Sequence, residues 1–126
     1  MARAPRTPKS PPEPEALTLA RRCVAAAEDK KAGEPIILDL REVSTITDYL
    51  VICSAQSEPQ LKAIAGGVEQ ALKEGIERRP LAVDGFPTSQ WIVIDYGEVM
   101  VHIFHEAKRG HYALEDLWSD APVVKL

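Results

Sequence analysis

The stretch from residue 91 to 105 constrains the fold most, because two runs of branched and aromatic residues, 91–96 and 99–105, are separated only by Gly97 and Glu98. Gly-X is the centre of a two-residue type II′ turn, so the runs predict a β-hairpin of fixed register. Around that turn Tyr96 pairs with Val99, Ile94 with Val101 and Ile92 with Ile103, which makes one wholly apolar face. The other face pairs Asp95 with Met100, Val93 with His102 and Trp91 with Phe104. An acid, an imidazole and large apolar groups together are the composition of a binding surface. The plainer alternative is a face covered by a helix, with Asp95 and His102 as a diagonal ion pair at its edge.

The rest of the chain supplies partners for that hairpin. Leu17, Ala20, Val24 and Ala27 recur at helical spacing after Pro14, predicting a helix over 15–32 that Gly33 stops. The short runs 36–40 and 49–55 predict two strands, the second fully buried. Ser57 followed by Gln60 has the form of a capping box, and Pro59 falls in a first helical turn. With the stripe Leu61, Ile64, Ala65, Val68 and Leu72 they predict a second helix over 58–74, ended by Gly75. A short strand over 80–84 is broken off by Gly85 and Pro87, and a short terminal helix is expected around 113–118. The order αββαβββα belongs to the α/β class, with a mixed five-stranded sheet and helices packed on it. Five prolines within 5–14 predict a disordered Pro-rich tail over 1–13, leaving 14–126 as one domain of the 126-residue chain.

Composition removes several classes of function. No apolar run approaches the roughly 20 residues of a membrane span, and the amino terminus has neither the apolar core of a secretory signal nor the helix-forming sequence of a transit peptide, so the expected location is cytoplasmic. Cys23 and Cys53 form no CxxC pair and lie in apolar surroundings, as small core residues in a reducing compartment do. Arg3, Arg6 and Lys9 against Glu13 give the first 14 residues +2, so of the total of −4 the remainder carries −6. An acidic body repels phosphate backbones, which argues against a dedicated nucleic-acid site and for a basic protein partner.

The residue types that do chemistry are present but scattered. His102 and His105 are separated by an odd number along a strand and point to opposite faces, so they share no metal, and His111 stands apart. There is no Walker A or GxGxxG loop and no nucleophile motif. Asp39, Asp48, Asp84 and Asp95 occur singly, without the Asp-x-Asp that two-metal nucleotidyl transfer commonly uses; Asp48 fits the turn before the second strand. No cofactor and no metal are expected. A magnesium-dependent nucleotidyltransferase-like enzyme is the rival reading, and it requires those aspartates to converge.

Four segments, Leu38-Asp39-Leu40-Arg41, Ile46-Thr47-Asp48-Tyr49, the run from Trp91 through Val99, and Val101-His102-Ile103-Phe104, stand in a specific order and spacing, followed by Tyr112, Leu114-Glu115 and Leu117-Trp118. In these motifs, over roughly residues 14–122, the chain resembles the ribosomal silencing factor (Iojap-like) family. The resemblance implies a nucleotidyltransferase-like fold that has lost catalysis. It also implies binding to the large ribosomal subunit through its fourteenth protein, at the face that meets the small subunit, so that subunit joining is blocked sterically. Carried onto this sequence it implicates Trp91, Ile92, Asp95, Tyr96 and Gly97. The pairing favours Trp91, Asp95, Met100 and His102 as the outward members and turns Ile92 and Tyr96 inward. Lys108, Arg109 and Tyr112 match a basic-aromatic stretch of the family that supports the contact or, on the plainer reading, begins a solvated helix. Ala55 and Pro59 depart from the glycine and arginine the family commonly has there. Self-association of the free protein as a homodimer through the hairpin face is a third reading.

Overall fold

The structure, a computed structural model, describes residues 13–86, 90–112 and 118–126, and at residues 86 and 110–112 the backbone alone. The expected tail lies, apart from Glu13, outside the described residues. Glu13 itself accepts hydrogen bonds from Thr18 and Arg21 at the start of the first helix. The elements are α1 (Glu15–Asp29), β1 (Gly33–Asp39), β2 (Tyr49–Ala55), α2 (Glu58–Ile76), β3 (Ala82–Phe86), β4 (Trp91–Asp95), β5 (Val99–His105), α3 (Glu106–Tyr112) and β6 (Val123–Val124).

The sheet has six strands where five were expected, in the order β3-β4-β5-β2-β1-β6. The additional strand, β6, pairs Val124 with Ile37 and Val123 with Leu38. Two residues give no alternation for a sequence to show, so only the tertiary fold defines it. All neighbours are antiparallel except β2 and β5, which run parallel from Tyr49↔Val99 to Ala55↔His105. The hairpin register follows the turn: Trp91↔Phe104, Ile92↔Ile103, Val93↔His102, Ile94↔Val101 and Asp95↔Met100. Gly97 supplies the positive φ, +91°, that the turn requires.

Both long helices lie on one face. Leu19, Ala20, Cys23, Val24 and Ala27 of α1 and Leu61, Ile64, Val68 and Leu72 of α2 pack against Val51, Cys53, Ile92, Ile94, Val101 and Ile103 of the sheet. Each such Leu or Ile contributes about 1.5–3 kcal/mol by leaving water. Cys23 and Cys53 are free and buried in this layer, where burial pushes both thiols up to about 12. A smaller cluster covers part of the opposite face, with Leu38, Leu40, Leu50, Ile52, Phe104 and Ala121 at its centre. All seven residues of β2 are buried because layers lie on both its faces.

Helix ends differ from expectation for local reasons. α1 stops at Asp29, and the left-handed residue that turns the chain into β1 is Lys31 (φ 67°), ahead of Gly33. α2 runs past Gly75 to Ile76, and Glu77 adopts the left-handed conformation that lets its N–H and that of Arg78 reach Lys73 and Leu72. At its start Ser57 accepts from the Gln60 N–H at 3.2 Å. Gln60 in turn accepts from the Gln56 N–H and donates to the carbonyls of Lys30 and Lys31, tying α2 to the α1–β1 turn. β3 lies two residues later than expected and runs through Gly85, whose φ of +87° only glycine adopts readily. The terminal helix expected around 113–118 falls on 113–117, outside the described residues, while Trp118 lies in a turn. The helix that is described, α3, directly follows β5, and His105 Nδ1 accepts the Ala107 N–H at its start.

Candidate functional site

The second face of the sheet is divided. Over β1 and β2 it is closed by Trp118 and Ala121, which pack on Leu38, Leu40 and Leu50. Over β4 and β5 it is half-open: Trp91, Val93, Asp95 and Met100 retain intermediate exposure, alternating with the buried Ile92 and Ile94. The hairpin therefore has the two faces its sequence predicts, and the outward one presents an indole, a thioether and a carboxylate in one strip.

Within the strip three rings stack. The Trp91 ring centroid lies 5.2 Å from that of Phe104 and 5.7 Å from that of His102, with interplanar angles of 21° and 26°. The Trp91 indole N–H donates to His102 Nδ1 at 3.1 Å. His102 is 8% exposed, so its expected outward position is corrected: the Trp91 indole covers it. Burial pushes the imidazole down to about 4, and it stays neutral at physiological pH. The Asp95–His102 ion pair of the plainer alternative does not form, for Asp95 Oδ1 accepts the Gly97 N–H at 2.7 Å and stiffens the turn. The far side of the turn is held by Arg78, which donates to the Tyr96 carbonyl at 2.8 Å and pairs with Glu98. Burial, the largest single influence, would raise the Glu98 carboxyl, but the bond from Arg78, a backbone hydrogen bond and the Arg78 charge together hold the group low.

Ile92 and Tyr96, implicated by the resemblance, are buried against the helices and belong to the core, as strand alternation dictates. Arg109 is also corrected. It is 8% exposed, and its Nη1 donates to the Glu34 carbonyl at 2.6 Å, to Ser54 Oγ at 2.9 Å and, more weakly, to the Gly33 carbonyl at 3.4 Å. A guanidinium in that position fastens α3 across the β1 bulge and β2 instead of reaching a partner. Tyr112 ends α3, and its side chain lies outside the described residues.

Sequence reasoning missed the cleft beside the strip. Leu40, Ile46, Thr47, Leu50, Met100, His102 and Trp118 line a mainly apolar cavity of about 190 Å³, and Ile46 at its rim is 74% exposed. Three segments distant in sequence meet there, so no local pattern marks it. Asp48 acts through its backbone, accepting from Leu40 N–H and donating to the Glu98 carbonyl, which joins this loop to the hairpin turn.

The aspartates of the rival reading are engaged separately. Asp39 pairs with Arg41, whose bond holds its carboxyl below the ordinary range; Asp84 accepts the Gly85 N–H; and Asp95 caps the Gly97 turn. Among the described residues no three His, Cys, Asp or Glu side chains gather where a metal could sit. None of the described helices is long and apolar enough to cross a membrane.

These features define the class as a small mixed α/β domain, with one sheet face sealed by helices and the other carrying a half-open aromatic and acidic strip. Residues 13–126 match the family model described as "Ribosomal silencing factor during starvation". The chain is 41% identical over 109 residues to the Ribosomal silencing factor RsfS of Halalkalibacterium halodurans, covering 86% of this chain and 92% of that one. To the protein of the same name from Bacillus subtilis it is 40% identical over 103 residues, covering 81% and 86%. A crystallised Chromobacterium violaceum protein superposes with a TM-score of 0.79 at 28% identity, covering 84% of this chain and 88% of that one. The chain belongs to the ribosomal silencing factor family.

Proposed function

We propose that this protein represses translation by seating the β4–β5 strip on the large ribosomal subunit, on its fourteenth protein at the joining face, where its bulk keeps the small subunit away. The half-open strip of Trp91, Asp95 and Met100 in a chain of this family carries the reading. A half-exposed indole flanked by a thioether and a carboxylate suits a basic protein surface, and aromatic anchors at the centre of a contact carry much of its energy. The acidic body favours the same partner by steering. The mechanism is occupancy. A domain with a radius of gyration of about 13–14 Å, placed on a joining face, prevents bridge contacts without any reaction. The lineage is that of a nucleotidyltransferase-like fold without catalysis, in keeping with aspartates committed to turns and ion pairs, and the site of action is the cytoplasm.

The test is cosedimentation with purified large subunits. The wild-type protein travels with them, and Trp91→Ala, folded by circular dichroism, loses about 2 kcal/mol of binding, roughly thirtyfold. A folded Trp91→Ala protein that cosediments as well as wild type removes Trp91 from the contact.

A further inference from the structure

Trp91 and His102 are diagonal neighbours in the hairpin, one strand pair apart (Trp91↔Phe104, Val93↔His102), which is within reach of aromatic side chains. Their contact has two parts, the indole N–H donated to Nδ1 at 3.1 Å and the ring stacking at 26°. An imidazole nitrogen that accepts a hydrogen bond carries no proton, so the ring is neutral with its proton on Nε2. Burial acts in the same direction, pushing the imidazole down to about 4 and favouring the neutral ring. Beneath both rings Phe104 is 0% exposed and fixes the level at which the indole lies.

We infer that His102 is the positioning residue of the partner-binding strip: its Nδ1 lone pair and ring face set the orientation in which Trp91 is presented before any partner arrives. This rests on the reading that Trp91 is the anchor. A hydrogen bond that orients an aromatic side chain before binding lowers the cost a partner meets in immobilising it. A histidine that only filled core volume would be replaceable by leucine without consequence for the indole. The hydrogen bond makes a different demand, since the replacement must offer an acceptor where Nδ1 stands.

Two variants separate these roles. His102→Leu keeps an apolar side chain of similar reach and removes the acceptor; His102→Asn places a carbonyl oxygen close to the position of Nδ1. The readouts are hydrogen-exchange protection of the Trp91 indole N–H by ¹H–¹⁵N spectroscopy and affinity for purified large subunits. In His102→Leu the indole N–H loses protection and affinity falls about three- to tenfold, the equivalent of one hydrogen bond. His102→Asn restores both. Unchanged protection and affinity in a folded His102→Leu protein, or a folded His102→Asn protein no better than His102→Leu, overturns the inference. Should the leucine variant not fold, the ¹⁵N shifts of His102 in the wild type decide, because a protonated Nδ1 is incompatible with accepting the indole. Failure of the wild type to bind large subunits counts against the proposed function alone, while the indole measurements still decide whether His102 holds Trp91.

Discussion

Replacing Arg109 by alanine separates a structural residue from a contact residue. Its guanidinium is buried and donates two short bonds, 2.6 Å to the Glu34 carbonyl and 2.9 Å to Ser54 Oγ, with a longer one to the Gly33 carbonyl. The Glu34 carboxylate, 3.9 Å away on an 85% exposed side chain, adds little. A hydrogen bond to a charged group is worth about 1.5–3 kcal/mol, so two give about 3–6 kcal/mol; water entering the vacated space recovers part, leaving a loss of about 3 kcal/mol. In a domain of this size that lowers Tm by about 10 °C. Arg109→Lys recovers only part, since an ammonium on a shorter, flexible stem does not hold a donor where Nη1 stands. Urea and thermal unfolding measure the loss, and large-subunit affinity is measured well below the transition, where the variant is folded. Lower stability with affinity within about twofold of wild type is the expected outcome. A loss under about 1 kcal/mol accompanied by clearly weaker binding by the folded variant would refute it and return Arg109 to the interface.

Further outcomes follow from the strip and its supports. Gly85→Ala forces a Cβ to 2.2 Å from the Trp91 carbonyl at a φ of +87°, and it should cost about 2 kcal/mol or more and displace Trp91, read by urea unfolding and indole fluorescence. Gly97→Ala, whose Cβ would meet only the Leu81 side chain at 3.3 Å, should cost less. Asp95→Asn keeps an oxygen for the Gly97 N–H while removing the charge, so stability holds and large-subunit binding weakens with a shallower salt dependence; unchanged salt dependence would detach Asp95 from the contact. The His102 imidazole, held at about 4 in the fold against 6.5 ordinarily, takes up its proton in the unfolded chain first. Its contribution is therefore complete above pH 6.5 and lost as pH falls toward 4, a difference of about 3 kcal/mol between wild type and His102→Leu across that window. Parallel pH profiles of the two proteins would contradict it.

The hairpin was legible because a two-residue turn leaves no freedom of register: once Gly97 and Glu98 are the turn, every pair follows, and so does the inward direction of Ile92 and Tyr96. Inference failed where a residue's environment comes from distant segments. His102 shares the outward face with Asp95, but its burial depends on Trp91 leaning over it, which alternation does not encode. Arg109 reads as a solvated cation until the bulge near Gly33 and Ser54 of β2 meet it across more than 50 residues of sequence. The sixth strand and the cleft around Ile46 and Trp118 likewise arise from tertiary contact. Helix ends shifted by two or three residues because Lys31 and Glu77 take the left-handed conformations expected of glycine.

If the outward-facing strip on β4 and β5 seats this domain on the joining face of the large subunit, as proposed, the protein keeps purified subunits apart. Gradient sedimentation of purified subunits under associating conditions, with and without the protein, reads this out. The wild-type protein should comigrate with the large subunit and deplete the joined ribosome peak, and Trp91→Ala should do neither at the same concentration. Full reassociation with the wild-type protein in excess, or comigration with the small subunit instead, would contradict it.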